Sequence, residues 1–102
     1  ILHLNTRSFS KHMALNTFYD EIVDLADKFA EAYQGKHGLI GPVTLMGADD
    51  SANIVSFLQN QVDAIEKARY QVCDKTETAL QNIIDEIVGL YLSTLYKLKF
   101  LA

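Results

Sequence analysis

Residues 8–33 contain neither glycine nor proline, and their apolar side chains recur every three or four positions. This spacing predicts a long amphipathic helix at 8–33, with Ser8 as its N-cap and Gly35 as its C-cap. The apolar face of this helix is predicted to consist of Leu15, Phe18, Ile22, Val23, Leu25, Ala26, Phe29 and Ala30. A helix with such a face has to bury it against other helices or against a second copy of the chain.

Two more helices are predicted at about 51–72 and 75–100. The single proline and four of the five glycines fall in the connector 34–50. Asp49, Asp50 and Ser51 are typical of the start of a helix, and Asp74 and Glu77 have the spacing of a capping box. The last helix is apolar around most of its circumference, which favours a central place in a bundle or contact with another subunit. The sequence therefore predicts one all-α domain over residues 1–102, in which residues 1–5 resemble the last turn of an earlier helix.

Composition limits the classes of function. The net charge is −4 and no basic patch is present, which argues against nucleic-acid binding. Residues 83–102 are very apolar but contain two acidic residues and two lysines, so we expect no membrane span. A single cysteine, Cys73, favours a reducing compartment, and we expect a cytoplasmic location with a structural, unreactive thiol.

Several polar side chains of metal-ligand type lie on one arc of the first helix, at the border of its apolar face. They are His12, Asn16, Asp20, Asp27 and Glu31. Imidazole nitrogens and carboxylate oxygens are suitable ligands for iron, zinc or manganese. His12 and Asp27 lie roughly 22 Å apart along the helix, too far to share one ion. Two copies packed antiparallel would bring them together, whereas a solvated acidic face is the simpler interpretation.

The stretch HMALNTFYDEIVDLADKFAE (12–31) resembles the second helix of the Dps family of mini-ferritins. That helix carries a His, a Tyr, an Asp and a Glu at the spacing of His12, Tyr19, Asp27 and Glu31. The end of the chain also looks like the last helix of that family. The resemblance implies a ferritin-like antiparallel four-helix bundle, with the first helix largely missing from this chain.

The resemblance also implies metal sites across a two-fold dimer interface formed by antiparallel 8–33 helices. His12, together with His3, would supply nitrogens from one subunit, and Asp27 and Glu31 would supply carboxylates from the other. Asn16 and Asp20 are weaker ligands or neighbours of the metal in this interpretation. Iron is the implied metal, and its oxidation by dioxygen or peroxide is the implied reaction, with no separate catalytic residue.

Two matters stay open at this point. The block RSFSKHMALNTFYDEIVDLADKFAEAYQGKHG (7–38) is also similar to small uncharacterised phage proteins of ferritin-like appearance. The alternative function is a helical assembly or interaction protein that keeps the ferritin-like fold without metal chemistry. His37 lies near glycines at the start of the connector, and we expect it to be a solvated loop residue.

Overall fold

The computed structural model describes residues 6–41 and 53–101 of the chain. Within these ranges it contains three α-helices and no strand: α1 (Thr6–His37), α2 (Ile54–Val72) and α3 (Thr78–Phe100). The prediction of an all-α fold is confirmed for this part of the chain. His3, the predicted ligand near the start of the chain, and the predicted caps Asp49, Asp50 and Ser51 lie outside the described residues.

The third helix is the centre of the molecule. It packs against α1 on one side and α2 on the other, whereas α1 and α2 do not pack on each other in the described ranges. This explains why α3 is apolar around so much of its circumference, because two helices cover it. The most deeply buried side chains are Leu58, Val62 and Leu80. Phe18 of α1 meets the ring of Tyr91 edge-on, with centroids 4.9 Å apart.

The contacts along α3 fix the directions of the three helices. Tyr91 of α3 donates a hydrogen bond to Gln61 of α2. Nearer the start of α3, Gln81 accepts a hydrogen bond from Arg69, which lies later in α2. On the other side, Phe18 contacts Tyr91 and Lys28 pairs with Glu86 at 3.2 Å. In both cases residues later in α1 or α2 meet residues earlier in α3. The central helix is therefore antiparallel to both neighbours, and α1 and α2 run in the same direction.

Both predicted ends of the first helix are wrong. The helix already includes Ser8, and it continues through Gly35 to His37. Gly35 lies inside the helix and does not have a positive φ, so it does not end the helix. The helix ends at Gly38, whose φ of 95° is in the region that glycine adopts readily, and whose N–H donates to the carbonyl of Gln34 at 2.8 Å. Lys36 and His37 lie in the last turn, where positive charge is favourable.

The start of α3 also differs from the prediction. The carboxylate of Glu77 accepts the N–H of Asp74 at 2.6 Å, while Asp74 accepts the N–H of Thr76 at 2.9 Å. These bonds close a turn between α2 and α3, and α3 begins after it, with Glu77 in the N-cap position. Asn53 caps α2 by accepting from the N–H groups of Val55 and Ser56.

A hydrogen-bond network joins α2 to α3 at this end. Arg69 donates to the side-chain oxygen of Gln81 at 2.9 Å, to its carbonyl at 3.0 Å and to Asp85 at 2.6 Å. The amide nitrogen of Gln81 donates to the carbonyls of Arg69 and Cys73. Gln81 is buried, so these bonds replace the water it loses on folding. The sequence analysis did not single out Arg69 or Gln81.

Candidate functional site

The predicted metal ligands lie on the side of α1 that faces away from α3. His12, Asn16, Asp20, Asp27 and Glu31 are all exposed. The prediction that they border the apolar face is therefore wrong, since α3 covers the opposite side of the helix. No group of three or more His, Cys, Asp or Glu side chains could hold a metal ion within residues 6–41 and 53–101. One copy of the chain does not bring the predicted ligands together.

His12 has a hydrogen-bond partner on its own helix. The amide nitrogen of Asn16 lies 3.3 Å from Nε2 of His12, one turn away. An amide nitrogen donates, so this arrangement assigns the lone pair of Nε2 to Asn16 and the ring proton to Nδ1. A metal ion at Nε2 would have to displace Asn16.

An unexpected row of side chains surrounds His12. Phe9, His12, Asn16, Tyr19 and Val23 follow one another at alternating intervals of three and four residues, and all five are exposed. We call these five residues the outer stripe. Alternating three- and four-residue spacing is the pattern of a helix that packs lengthwise against another helix. Val23 was predicted to belong to the covered face, but it is 44% exposed.

Acidic residues and large side chains are distributed unevenly along α1. Residues 6–19 contain Arg7, Lys11 and His12 but no acidic residue, whereas residues 20–31 contain five acidic residues and one lysine. The exposed rings and long chains of Phe9 and Met13 lie in the first half. Alanines occupy the corresponding side of the second half, at Ala26 and Ala30.

A second polar cluster joins the end of α1 to the turn before α3. Nε2 of His37 donates to Glu77 at 2.5 Å, and Nζ of Lys36 lies 3.2 Å from the same oxygen. The hydrogen bond from the Asp74 N–H, followed by those from Lys36 and His37, lowers the pKa of Glu77 below its ordinary value. The ring of His37 also lies 4.6 Å from that of Tyr33. The expectation that His37 lies in a loop is wrong, because it is the last residue of α1, but its side chain is exposed to solvent as expected.

Cys73 is buried at the α2–α3 junction. Burial raises the pKa of its thiol, and the charge of Glu77 raises it further. A raised pKa keeps the thiol protonated at neutral pH, in agreement with the prediction of an unreactive cysteine.

An open groove of about 260 Å³ lies between the first half of α1 and the end of α3. It is lined by Phe9, Ser10, Met13, Ala14, Thr17, Lys97 and Leu101. Lys97 is the only titratable side chain among these lining residues, so the groove offers no acid–base pair. It does not have the features of an active site.

The chain belongs to DUF5856, a family of unknown function whose model matches residues 3–98. It is 27% identical over 96 residues to an uncharacterised 14.6 kDa protein from the mobD–ri intergenic region of Enterobacteria phage T4, covering 94% of this chain and 73% of the phage protein. No solved structure matches the chain.

These findings bear on the two resemblances differently. The relative from phage T4 supports the similarity to phage proteins that residues 7–38 indicate. Neither match tests the resemblance to mini-ferritins, which stays a prediction. In the described ranges, none of the helices has the length and hydropathy that crossing a membrane requires.

Proposed function

We propose that this protein is a ferritin-like helical protein that forms a homodimer through the outer stripe of α1 and binds divalent metal, with iron as the implied ion, at that interface. The observation that carries the proposal is the stripe itself: five residues at helix-packing spacing that no other described part of the chain covers. The proposal places the protein in the cytoplasm, where a single buried cysteine stays reduced.

The directions of the helices support a ferritin-like bundle. Helices that follow each other along a chain and run parallel need a crossover connection between them, and ferritin-like bundles have one such connection. Here α1 and α2 are consecutive and parallel, with α3 antiparallel to both. Because α1 and α2 do not pack on each other, a fourth helix has room to lie between them.

Charge and size favour an antiparallel dimer over a parallel one. With a two-fold axis between Tyr19 and Asp20, the half of each α1 that has no acidic residue lies against the acidic half of the other. The bulky side chains of Phe9 and Met13 then lie level with the alanines of the partner subunit. A parallel pair would set the five acidic residues against their own copies and would leave the alanines facing each other across a gap.

The same pairing supports the metal site. His12 lies at the level of Asp27 of the partner subunit, with Glu31 of the partner subunit one turn further on. One imidazole and two carboxylates suit iron(II), zinc or manganese, and a carboxylate can bridge two ions. Bound iron(II) would be the substrate, which dioxygen or peroxide oxidises to iron(III) in the implied reaction.

The dimer is tested by two matched variants. Val23 lies in the outer stripe and is 44% exposed, while Val72 at the end of α2 is 46% exposed. Val23→Glu should raise the dimer dissociation constant by about 30-fold or more, since two valine contacts of about 1 kcal/mol each are lost. Val72→Glu should leave it unchanged. Sedimentation equilibrium measures both, and equal constants for the two variants would remove the outer stripe as the interface.

The metal site is tested by metal analysis of protein purified without chelator. His12→Ala and Glu31→Ala should each lower the metal content of the dimer, while Glu21→Ala, an exposed acidic residue on the same helix, should not. The rate of iron(II) oxidation, followed optically, should fall in the same two variants. Metal that persists unchanged in His12→Ala and Glu31→Ala would show that the assigned ligands are wrong.

A second candidate is a helical assembly protein without metal chemistry. The hydrogen bond between Asn16 and His12 favours it, because that bond occupies one of the two imidazole nitrogens that could bind a metal. Under this proposal Val23→Glu still dissociates the dimer, but the protein carries no metal and oxidises iron(II) no faster than buffer does. The two experiments together separate the candidates.

A further inference from the structure

The central helix leaves one side uncovered. Leu92, Tyr96 and Phe100 recur every fourth residue on α3 and are 53%, 57% and 71% exposed. The rings of Tyr96 and Phe100 lie 5.7 Å apart, so these side chains form one continuous apolar surface. Gly89 lies one turn before Leu92 on the same side. We call Gly89, Leu92, Tyr96 and Phe100 the α3 stripe.

Gly89 has no explanation within a single chain. A Cβ atom added there would meet nothing within 4 Å, and its φ is not in the positive range that calls for glycine. Glycine in the middle of a helix is unfavourable relative to alanine. Its usual benefit is that another group can approach the backbone closely, and no described part of this chain does so here. The notch therefore fits a side chain from outside the chain.

The charges beside the stripe point to a second copy of α3 in the opposite direction. Asp85 and Glu86 lie before Leu92, and Lys97 and Lys99 lie after it. Asp85 and Lys99 are equally far from Leu92 along the helix. An antiparallel pair centred on Leu92 therefore sets acidic residues against lysines at both ends, whereas a parallel pair sets like charges together.

The intrachain bonds of these acidic residues leave room for a further partner. Arg69 binds only Oδ1 of Asp85, and Lys28 binds only Oε2 of Glu86. The second oxygen of each carboxylate is free to accept from a lysine of another copy. Both carboxylate side chains are more than half exposed.

We propose that the α3 stripe is a second self-association surface, on which another copy of the chain packs antiparallel about a two-fold axis at Leu92. Tyr96 of each copy then lies at the level of Gly89 of the partner subunit and fills the notch. This surface is separate from the outer stripe of α1. A chain with two different two-fold interfaces assembles beyond a dimer, into a tetramer or a larger closed or linear array.

The mass of the assembly tests this proposal. Leu92→Lys places two lysines at the axis and should raise the dissociation constant of this interface by about 30-fold or more. Leu39→Lys is the matched control, since Leu39 is exposed outside the helices. By sedimentation velocity, Leu92→Lys should reduce the assembly to dimers, and Leu39→Lys should not. An unchanged mass for Leu92→Lys would overturn the proposal.

Gly89→Leu separates an interface from a purely structural role. Leucine should stabilise the helix of the single chain, because the site is open, yet it should fill the notch and weaken the assembly. Gly35→Leu, also helical and open, should stabilise its helix without changing the mass. If Gly89→Leu raises the urea midpoint and leaves the mass unchanged, the notch does not receive Tyr96 and the proposal fails.

The experiments can disprove either of the two proposed interfaces without the other. If Val23→Glu leaves the mass unchanged while Leu92→Lys reduces it, the α3 interface stands without the α1 interface. The double variant of Val23→Glu and Leu92→Lys should be monomeric if both interfaces exist.

A disulfide trap tests the geometry of the α3 interface directly. Leu92→Cys should cross-link two copies under mild oxidation, while Asn60→Cys, exposed on α2, should not. Equal cross-linking of the two variants would count against the α3 interface.

Discussion

The α2–α3 junction and the outer face of α1 differ in how far their polar side chains are bonded and their apolar side chains are buried. At the junction, Arg69 and Gln81 bond to each other and to neighbouring backbone, beside the buried side chains of Cys73, Leu80 and Ile84. On the outer face of α1, large apolar side chains and residues of metal-ligand type are exposed together. The polar groups of the junction are bonded within one chain, whereas the outer face leaves large apolar side chains uncovered by the described residues. The difference teaches that burial and bonding, rather than residue type, separate the folding part of this molecule from its candidate functional part.

The largest effect on folding should come from the core beside the junction. Leu80 is 2% exposed, and Leu80→Ala should lower the free energy of unfolding by about 2–5 kcal/mol through lost burial and a residual cavity. Urea denaturation measures the loss. Leu92→Ala, on the exposed side of the same helix, is the control and should change the unfolding of monomeric protein by much less. Equal losses would mean that the two faces of α3 do not differ in burial as they do in the structure.

The next effect should come from the network itself. Arg69→Ala leaves the buried oxygen of Gln81 without its donor and should cost about 1–3 kcal/mol of unfolding free energy. Lys67→Ala, an exposed neighbour on α2, should change it by less than about 0.5 kcal/mol. Thermal or urea unfolding compares the two. A near-zero effect of Arg69→Ala would make the α2–α3 junction depend on apolar packing alone.

A smaller effect should appear with pH at the Glu77 cluster. The pKa of Glu77 is lower in the folded chain than its ordinary value of 4.5, so protonation favours the unfolded chain. The stabilisation should be fully present above that value and should be lost as pH falls through the lower folded pKa. The stability difference between wild type and Glu77→Gln should shrink as pH falls from 6 to 3. A difference for Glu77→Gln that stays constant over this range would contradict the assignment.

The smallest effect on folding should come from the outer stripe. Val23→Glu should change the unfolding of monomeric protein by less than about 0.5 kcal/mol, because the side chain is 44% exposed and lies on the side of α1 away from α3. Urea unfolding measures this change when the protein concentration is kept well below the dimer dissociation constant. A loss as large as that of Leu80→Ala would mean that Val23 belongs to the fold, as its place in the helical pattern first indicated.

Local features were predictable to different degrees. The amphipathic period of 8–33 predicts a helix correctly because 3.6-residue periodicity is a property of the local sequence. Its end was misplaced at Gly35, since glycine is tolerated inside a helix and the first glycine with a positive φ is Gly38. Val23 was assigned to the wrong face, because the period marks a broad apolar arc but not which part of it α3 covers. The contact of His37 with Glu77 was not predicted, because the two residues are forty positions apart along the chain.

The sequence by itself determined that the chain is helical, how its charges are divided along α1 and which residue types are available as ligands, since these depend on local spacing and composition. Only the tertiary structure decided which face each helix buries, that α1 and α2 run parallel on either side of α3, and that Arg69 bonds to Gln81. The physical reason is that burial requires two surfaces. The apolar arc of a helix is set by its local sequence, but whether the arc is covered depends on a second surface, from a distant part of the chain or from another copy. The outer stripe is an arc that the described residues leave exposed.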